Sequence, residues 1–506
     1  MILENLPTDR ATRHALVPHL LSLGRNDDAI AIAQANVQLA PSDPVALFGL
    51  GYASQMTGRN AEAMAAYRRA YAIDSELPSL RRNMATALHH SGGNQEEVLR
   101  LLEEAVTVNS SDSDAWSDLA YHYRRHFNID AAVAAGQRAC DLAPSNALGL
   151  MNLAAALREA GRWDEARKAT RQAVAVQPEN VMCRFALFSL KLLDGKYDWS
   201  DYELRWEGVS EHPMKRPDFP YPTWQGESLT GKTLFLWGEQ GLGDVFQFCR
   251  YVPLLAGRVH DEGGKLVWNC FPALTSLLQR SLGQYADLCV SGAWDPAIHA
   301  DYEVSLLSLP LRFNTREETI PASIPYLMPE QDSALAWRKR LSGDKRLKVG
   351  LTWTGSRNHN RNPYRSVGLA RMAEHFSAMR EGVAFYSLQP GEREDVAAAR
   401  EAGFEISDYT DELTTYDDTA AFVDSLDLVI SVCTSMVHLS GAMGKRTWAL
   451  VDTNPYWVWQ LGRTDSPWYP NTTLYRQQTF AQWSPVLETV ARDLGNLVTS
   501  RAGTGK

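Results

Sequence analysis

Three short stretches of this chain gather residue types that bind anions or move protons. The first, Gly238–Phe248, reads GEQGLGDVFQF. Gly241 and Gly243 leave room for a ligand to approach the backbone, and Asp244 opens a helix with a carboxylate. The run from Asp244 to Gln247 also reads as an N-cap with a reciprocal partner three residues on. The two roles are compatible, because the positive end of a helix favours the ionised carboxylate that a general base requires. The second stretch, Trp353–Ser366, sets Gly355, Ser356, Arg357, Arg361 and Arg365 in one loop after a strand. Free amides, a hydroxyl and guanidinium groups form a clamp for phosphate or carboxylate; the plainer reading is a solvated loop. The third, Ser431–Gly444, passes from strand to helix near Thr434 and Ser435, where hydroxyls and unpaired amides meet at a positive helix end. His438 lies one turn beyond Thr434 on the same face. It either donates a hydrogen bond to a phosphate or is a buried, satisfied histidine.

Two other motifs lack the context their chemistry needs. Gly226–Thr233, GESLTGKT, matches the phosphate-loop pattern letter for letter. That loop must follow a strand and open a helix, whereas here it follows a proline-rich run and enters the strand TLFLW. Gly241-Leu-Gly243 has Phe246 where a dinucleotide fingerprint needs its third glycine, and no acid ends the next strand, LVWNC. Neither an ATPase nor a nicotinamide enzyme is expected.

The three stretches must be held by parallel sheets. Short apolar strands, TLFLW, LVWN, ADLCV, VGLTW, VAFYSL, LDLVISV and TWALV, alternate with helical segments. Such sheets bind ligands beyond their strand ends, where all three stretches fall. Two Rossmann-like halves are expected, residues 215–330 and 331–506, with Gln331–Arg346 as a helical connection. A last helix from Phe480 to about Val498 packs back across them. A bridging helix around Asp198–Glu207, within residues 196–214, precedes the pair.

Residues 1–195 carry a different signal, self-similarity at a period of 34. Ala29, Ala63, Val98, Ala132 and Ala166 recur in phase with Gly24, Gly58, Gly93, Phe127 and Gly161. One extra residue near Leu77-Pro78 makes a single spacing 35. Small residues fit where two helices cross closely, and glycine ends the first helix of each pair. One pair cannot bury its apolar face alone, so copies stack into a solenoid. The pattern resembles the tetratricopeptide repeat in five copies over about residues 10–180, with a partial sixth in which Gly195 follows Gly161 by 34. Its concave face in this register holds Phe48, Tyr52, Met56, Leu80, Asn83, Tyr121, Leu148 and Met151, an apolar and aromatic set suited to an amphipathic helix. Asparagines that clamp an extended peptide are few, Asn83 and Asn152.

A net charge of −10 over 506 residues argues against a nucleic-acid partner. Six scattered cysteines without a C-x-x-C pair read as buried thiols in a reducing compartment, not as metal ligands. The first residues show no apolar signal region and no run is long enough to span a bilayer, so a cytoplasmic location is expected.

Taken in order, GEQGLGDVFQFCRYVP, VGLTWTGS, the stretch from Asp427 to Gly444 and the DSPWYP run ending at Pro470 resemble repeat-containing relatives of the heptosyltransferases. That resemblance implies an all-α tetratricopeptide-repeat solenoid followed by an α/β GT-B pair of Rossmann-like domains. It implies Asp244 as catalytic base and Thr434, Ser435 and His438 at the donor nucleotide, with His438 also catalytic, stabilising the leaving phosphate together with Arg365 and the helix amides. Gly241, Gly243, Gln247, Gly355, Ser356, Arg365, Gln389 and Cys433 complete the substrate set. Relatives carry an acid where this chain has Cys433, and that acid contacts the donor sugar. A neutral residue there tolerates a sugar with its own carboxylate. The architecture is also similar to bacterial flagellin glycosyltransferases, which use nonulosonic acids.

The expected activity is therefore inverting, metal-independent transfer of a nonulosonic acid from a CMP donor to Ser/Thr of a protein, flagellin, captured by the repeats. The nucleotide-sugar is a substrate and no cofactor is needed. Two alternatives remain: transfer to lipopolysaccharide or another glycan, and a non-catalytic repeat scaffold.

Overall fold

The computed structural model describes residues 9–209, 215–239 and 241–504. The chain divides into two compact units, Met1–Glu179 and Asn180–Lys506.

The first unit is five helix pairs: α1 (Arg10–Ser22) with α2 (Asn26–Leu39), α3 (Pro44–Met56) with α4 (Asn60–Ile73), α5 (Leu80–His90) with α6 (Gln95–Val108), α7 (Ser113–Arg125) with α8 (Ile129–Leu142), and α9 (Ala147–Glu159) with α10 (Trp163–Val176). Ala29, Ala63, Val98, Ala132 and Ala166 are all fully buried, which is why the period holds small residues there. Side chains of Asp43, Asn94, Asp112, Asn128 and Asn146 cap the following helices, satisfying first-turn amides. Each first helix ends on a left-handed residue: Gly24, Gly58, Gly92, Phe127 and Gly161. In the third pair that residue is Gly92, not the expected Gly93, whose missing side chain instead makes room for Leu88. The inserted residue lies in segment 74–79, six residues long where segment 40–43 has four.

The second unit begins at Asn180, fifteen residues before the expected boundary at 195, with α11 (Val181–Leu193). The reason is its packing: Phe188 meets the rings of Trp199 and Tyr202, and the Leu193 carbonyl accepts from the Leu461 amide at 2.9 Å. The expected bridging helix is a single 3-10 turn, Tyr202–Trp206, buried against the sheet that follows.

That sheet has four parallel strands, β1 (Thr233–Trp237), β2 (Lys265–Cys270), β3 (Leu288–Ser291) and β4 (Tyr302–Ser305), in the order β3-β2-β1-β4. The second sheet has six parallel strands: β5 (Leu347–Thr352), β6 (Val383–Ser387), β7 (Ile406–Asp408), β8 (Leu428–Val432), β9 (Thr447–Val451) and β10 (Thr472–Arg476). Their order is β7-β6-β5-β8-β9-β10. The chain winds from β5 to one edge, returns, and winds from β8 to the other. This is the doubly wound order, with its reversal and hence its ligand crevice between β5 and β8. The first sheet reverses likewise between β1 and β4.

The final helix, Ser484–Thr504, was expected to cross both halves. It packs instead on the second, where Val486, Leu487, Val490 and Leu494 join the core behind β5 and β6. The connecting helix Gln331–Arg340 packs there too, with Trp337 against Phe422 and Tyr409.

Candidate functional site

The loop after β1 is anchored from below. Arg205, 5% exposed, holds Glu239 by two bonds of 2.6 and 3.0 Å and also donates to Ser308. Ser305, the last residue of β4, donates to the same carboxylate. Beyond this anchor α12 (Leu242–Phe248) begins, with Gly241 as its N-cap. Asp244 is thus the third helical residue rather than the cap, and it caps in the reverse sense. Its Oδ2 accepts from the Gly241 amide at 3.1 Å, while Oδ1 accepts from the Tyr456 hydroxyl at 3.1 Å. Gln247 makes no reciprocal cap: it is fully buried, and neither amide atom has a hydrogen-bond partner among the described residues.

Asp244 is half-buried, and burial pushes its carboxyl up to about 6. The bonds from Gly241 and Tyr456 pull it down, and the Glu239 charge pushes it further up. A carboxylate of that pKa is largely ionised at neutral pH yet basic enough to take a proton. The helix end therefore does not hold the group in the ordinary carboxylate range, because desolvation is the larger effect.

Gly243 serves packing rather than ligand approach. A side chain there would meet His438 Cδ2 at 3.1 Å and Ser435 Cα at 3.4 Å, so α12 lies directly on the helix Ser435–Ala442. Gly241 is exposed. His438 is 5% exposed, shares a hydrogen bond of 3.0 Å between Nδ1 and the Tyr469 hydroxyl, and lies against Trp459. Burial, then Arg250 and Arg365, press its pKa down to about 3, so the ring is neutral at physiological pH. It carries no positive charge toward a phosphate.

At the reversal between β5 and β8, Thr434 caps the helix Ser435–Ala442 by accepting from the Met436 amide. Ser435 shares a bond with the Tyr416 hydroxyl at 3.1 Å. Arg365 spans the crevice: Nη1 donates to the Cys433 carbonyl at 2.6 Å, and buried Nε has no partner among the described residues. Gly355 makes this possible, since a side chain there would sit 2.5 Å from Arg365 Nη2. The rest of the expected arginine clamp is engaged elsewhere: Arg357 pairs with Glu392 and Arg361 with Asp452. Ser356 is exposed in the loop, and Gln389 accepts from the Thr354 amide at 3.3 Å. Cys433 is 7% exposed and its sulfur accepts from the Trp459 indole at 2.9 Å.

Three contributors were not read from the sequence. Tyr456 and Arg205 reach the Asp244 loop from 212 and 34 residues away along the chain. Arg250 is buried beside Tyr326, Trp468 and Tyr469 and donates to the Gln247 and Trp468 carbonyls. No local spacing marks such partners.

In the repeat unit Phe48 and Tyr52 stack at 6.4 Å, and Met56 and Leu148 are exposed. Met151 is half-buried, and Tyr121 lies under Arg124 and Arg125. Leu80 is fully buried and leaves the expected groove set for the core. Asn83 bonds back to the Ser79 carbonyl and Asn152 ties α9 to Ser117 of α7, so both asparagines are spent on structure. Arg82 joins Asp114 and Asp118 across α5 and α7, which puts an ion-paired patch within an otherwise apolar set.

Among the described residues no His, Cys, Asp or Glu group has metal-site geometry, and no helix is long and apolar enough to cross a membrane. The Gly226–Thr233 loop runs into β1, and Lys232 pairs with Asp301.

Residues 14–78 and 97–147 match one tetratricopeptide-repeat family and residues 147–180 a second. The first unit is a tetratricopeptide-repeat solenoid, a class of module that binds protein partners. Over 97% of its length the chain is 25% identical to Protein FlbA of Caulobacter vibrioides, covering 86% of that protein. Among solved structures, TTC0263, a repeat protein of Thermus thermophilus, is 21% identical; the match covers 36% of this chain and all of that one, with a TM-score of 0.33. Pseudomonas aeruginosa pilF is 18% identical over 39% of this chain and 89% of its own, with a TM-score of 0.35.

Proposed function

We propose that this chain is an inverting glycosyltransferase of the GT-B type, moving a nonulosonic acid from a CMP donor to a Ser/Thr hydroxyl of a protein held by the repeats, with flagellin as the acceptor. One observation carries the reading. Two sheet-reversal crevices adjoin through the packing of α12 on the helix Ser435–Ala442, one bearing a carboxylate raised to about 6 and the other an arginine whose buried Nε has no partner among the described residues.

In the reaction, Asp244 takes the proton of the acceptor hydroxyl as its oxygen bonds to the anomeric carbon. The bond from that carbon to the phosphate oxygen breaks, and CMP leaves with the electron pair. Arg365 and the amides at the start of the helix Ser435–Ala442 stabilise the leaving phosphate. Attack and departure on opposite faces invert the anomeric centre. A sugar carboxylate suits this site because Cys433, with its sulfur engaged by Trp459, brings no negative charge beside Arg365.

The test is the intact mass of flagellin incubated with a CMP-linked nonulosonate and the full chain, alongside Asp244→Asn. One sugar mass per modified residue, absent with Asp244→Asn, supports the reading. An unchanged mass with every donor tried would favour a repeat scaffold, for which the internal engagement of His438, Arg357 and Arg361 speaks.

A further inference from the structure

Asp244 is held by two halves of the unit at once. Its Oδ2 is bonded within the Gly241 turn, but Oδ1 takes its bond from Tyr456, which stands in the loop after β9 of the second sheet. Tyr456 is half-buried and packs on Trp457, at the head of the 3-10 turn Trp457–Trp459. That turn is fixed in its own right. Trp459 donates to Cys433, and Trp457 stacks edge-on to Trp199 and Trp468. The hydroxyl thus comes from the head of a turn packed between tryptophans.

We propose that Tyr456 is a positioning residue: its hydroxyl holds one oxygen of Asp244 from across the crevice and keeps the carboxylate ionised and aimed at the incoming acceptor. This rests on the reading of Asp244 as the base. The chemistry of the surroundings explains why such a donor is needed. Glu239 adds a second negative charge near Asp244, and its partner Arg205 also pairs with Glu203. Tyr202, buried, has a hydroxyl with no partner among the described residues and lies within electrostatic reach of Asp244. From α12's neighbouring helix His438 contributes a neutral ring. Among these facing groups Tyr456 alone is seen donating from a side chain to the carboxylate. A donor to the charged form favours it, and burial drives the Tyr456 hydroxyl itself well above its ordinary range, so it stays protonated. With one bond on each oxygen, lone pairs remain free for the substrate proton.

Tyr456→Phe removes only the hydroxyl, and the ionisation of Asp244 is read without any ligand. Melting of the full chain is followed by tryptophan fluorescence, which reports mainly on the second unit because only Trp116 and Trp163 lie in the first. The difference in melting temperature between the protein and Asp244→Asn, plotted against pH, grows above the unfolded value of 3.8 and levels off once pH passes the ionisation of Asp244 in the fold. The same difference between Tyr456→Phe and Tyr456→Phe/Asp244→Asn is expected to level off about one pH unit higher. The acid limb of turnover with a CMP-linked nonulosonate should move up equally. A plateau that begins at the same pH in both pairs overturns the role of Tyr456, even if Asp244→Asn is inactive. Turnover preserved in Asp244→Asn, with the start of the plateau moved, overturns the base reading alone.

Discussion

Arg365 links the segments that follow the two strands flanking the reversal of the second sheet: its Nη1 stands 2.6 Å from the carbonyl oxygen of Cys433. The guanidinium is locked by a neutral acceptor, so its charge is not cancelled by the bond that orients it, and buried Nε still has a proton to donate. Arg365→Ala should therefore weaken CMP binding by about 10- to 100-fold, the worth of a charge-assisted hydrogen bond. Gly355→Ala should act in the same direction without removing charge, because the new carbon would displace Arg365 Nη2 and Asn362 Oδ1. Titration calorimetry with CMP, UDP, ADP and GDP checks both and ranks the donors. Equal CMP affinity in Arg365→Ala would put the phosphate somewhere else.

Asp244, raised to about 6, predicts an acid limb near that pH in kcat/KM. Asp244→Asn should remove the limb and lower the rate by about 10²- to 10⁴-fold. Stability carries the opposite sign. A carboxyl raised from 3.8 contributes most below that value and loses its contribution as pH rises through about 6. Asp244→Asn should thus match the parent protein near pH 4 and exceed it in melting temperature at pH 8. A parent protein that is the more stable at pH 8 would mean the carboxylate is held favourably ionised.

His122 supplies a test in the repeat unit. It is 5% exposed, its Nδ1 has no partner among the described residues, and burial presses it to about 3. A histidine kept neutral in the fold stabilises above its unfolded value of 6.5 and loses that contribution as pH falls toward 3. His122→Phe keeps the ring contacts, so the acid loss of stability of the repeats should become shallower by about 1.4 kcal/mol per pH unit. Denaturant melts followed by helical circular dichroism between pH 7 and pH 5 measure it. Equal slopes would show that His122 finds a proton-accepting partner on acidification.

Phe127 occupies a left-handed position, φ 62°, that glycine fills at the end of α1, α3, α5 and α9. A side chain with that backbone costs about 1 kcal/mol over glycine. Phe127 is 45% exposed and recovers little by burial. Phe127→Gly is expected to raise the stability of the repeat unit by about that amount, read from the same melts. A loss would mean that the ring packs more favourably than its exposure implies.

These residues also mark what a sequence can disclose. The repeat was legible because its period is local, and every in-phase alanine or valine of the series proved fully buried. The seven expected strands formed, being continuous apolar runs, whereas β4, β7 and β10 are short or carry polar residues and gave no such run. Asp244 stands at the start of the helix after β1, as its loop suggested, but its capping geometry differs, since whether Gly241 or Asp244 begins the helix differs by a few residues of backbone angle. Arg357 and Arg361 looked like ligands because their acids, Glu392 and Asp452, arrive from elsewhere in the chain. Spacing reveals which groups are near along the chain, and the site is made by those that are not.

The boundary between the units decides how the repeats are tested. A chain beginning at Pro217 would lack Arg205, the buried partner of Glu239, and Trp199, whose indole donates to the Thr315 carbonyl at 2.8 Å. Removing one partner of a buried ion pair costs about 3–5 kcal/mol, so that chain should fold poorly. One beginning at Asn180 retains α11 and both contacts, and should bind CMP as the full chain does. Its transfer to flagellin should nevertheless be slow at low acceptor concentration, because capture by the repeats supplies effective concentration. Within the full chain, Tyr52→Ala and Tyr121→Ala should each weaken acceptor binding by about 1–3 kcal/mol, as aromatic anchors do. Acceptor affinity is measured by calorimetry and transfer by mass. Equal transfer rates for the Asn180 chain and the full chain at limiting acceptor would mean that the repeats serve another partner.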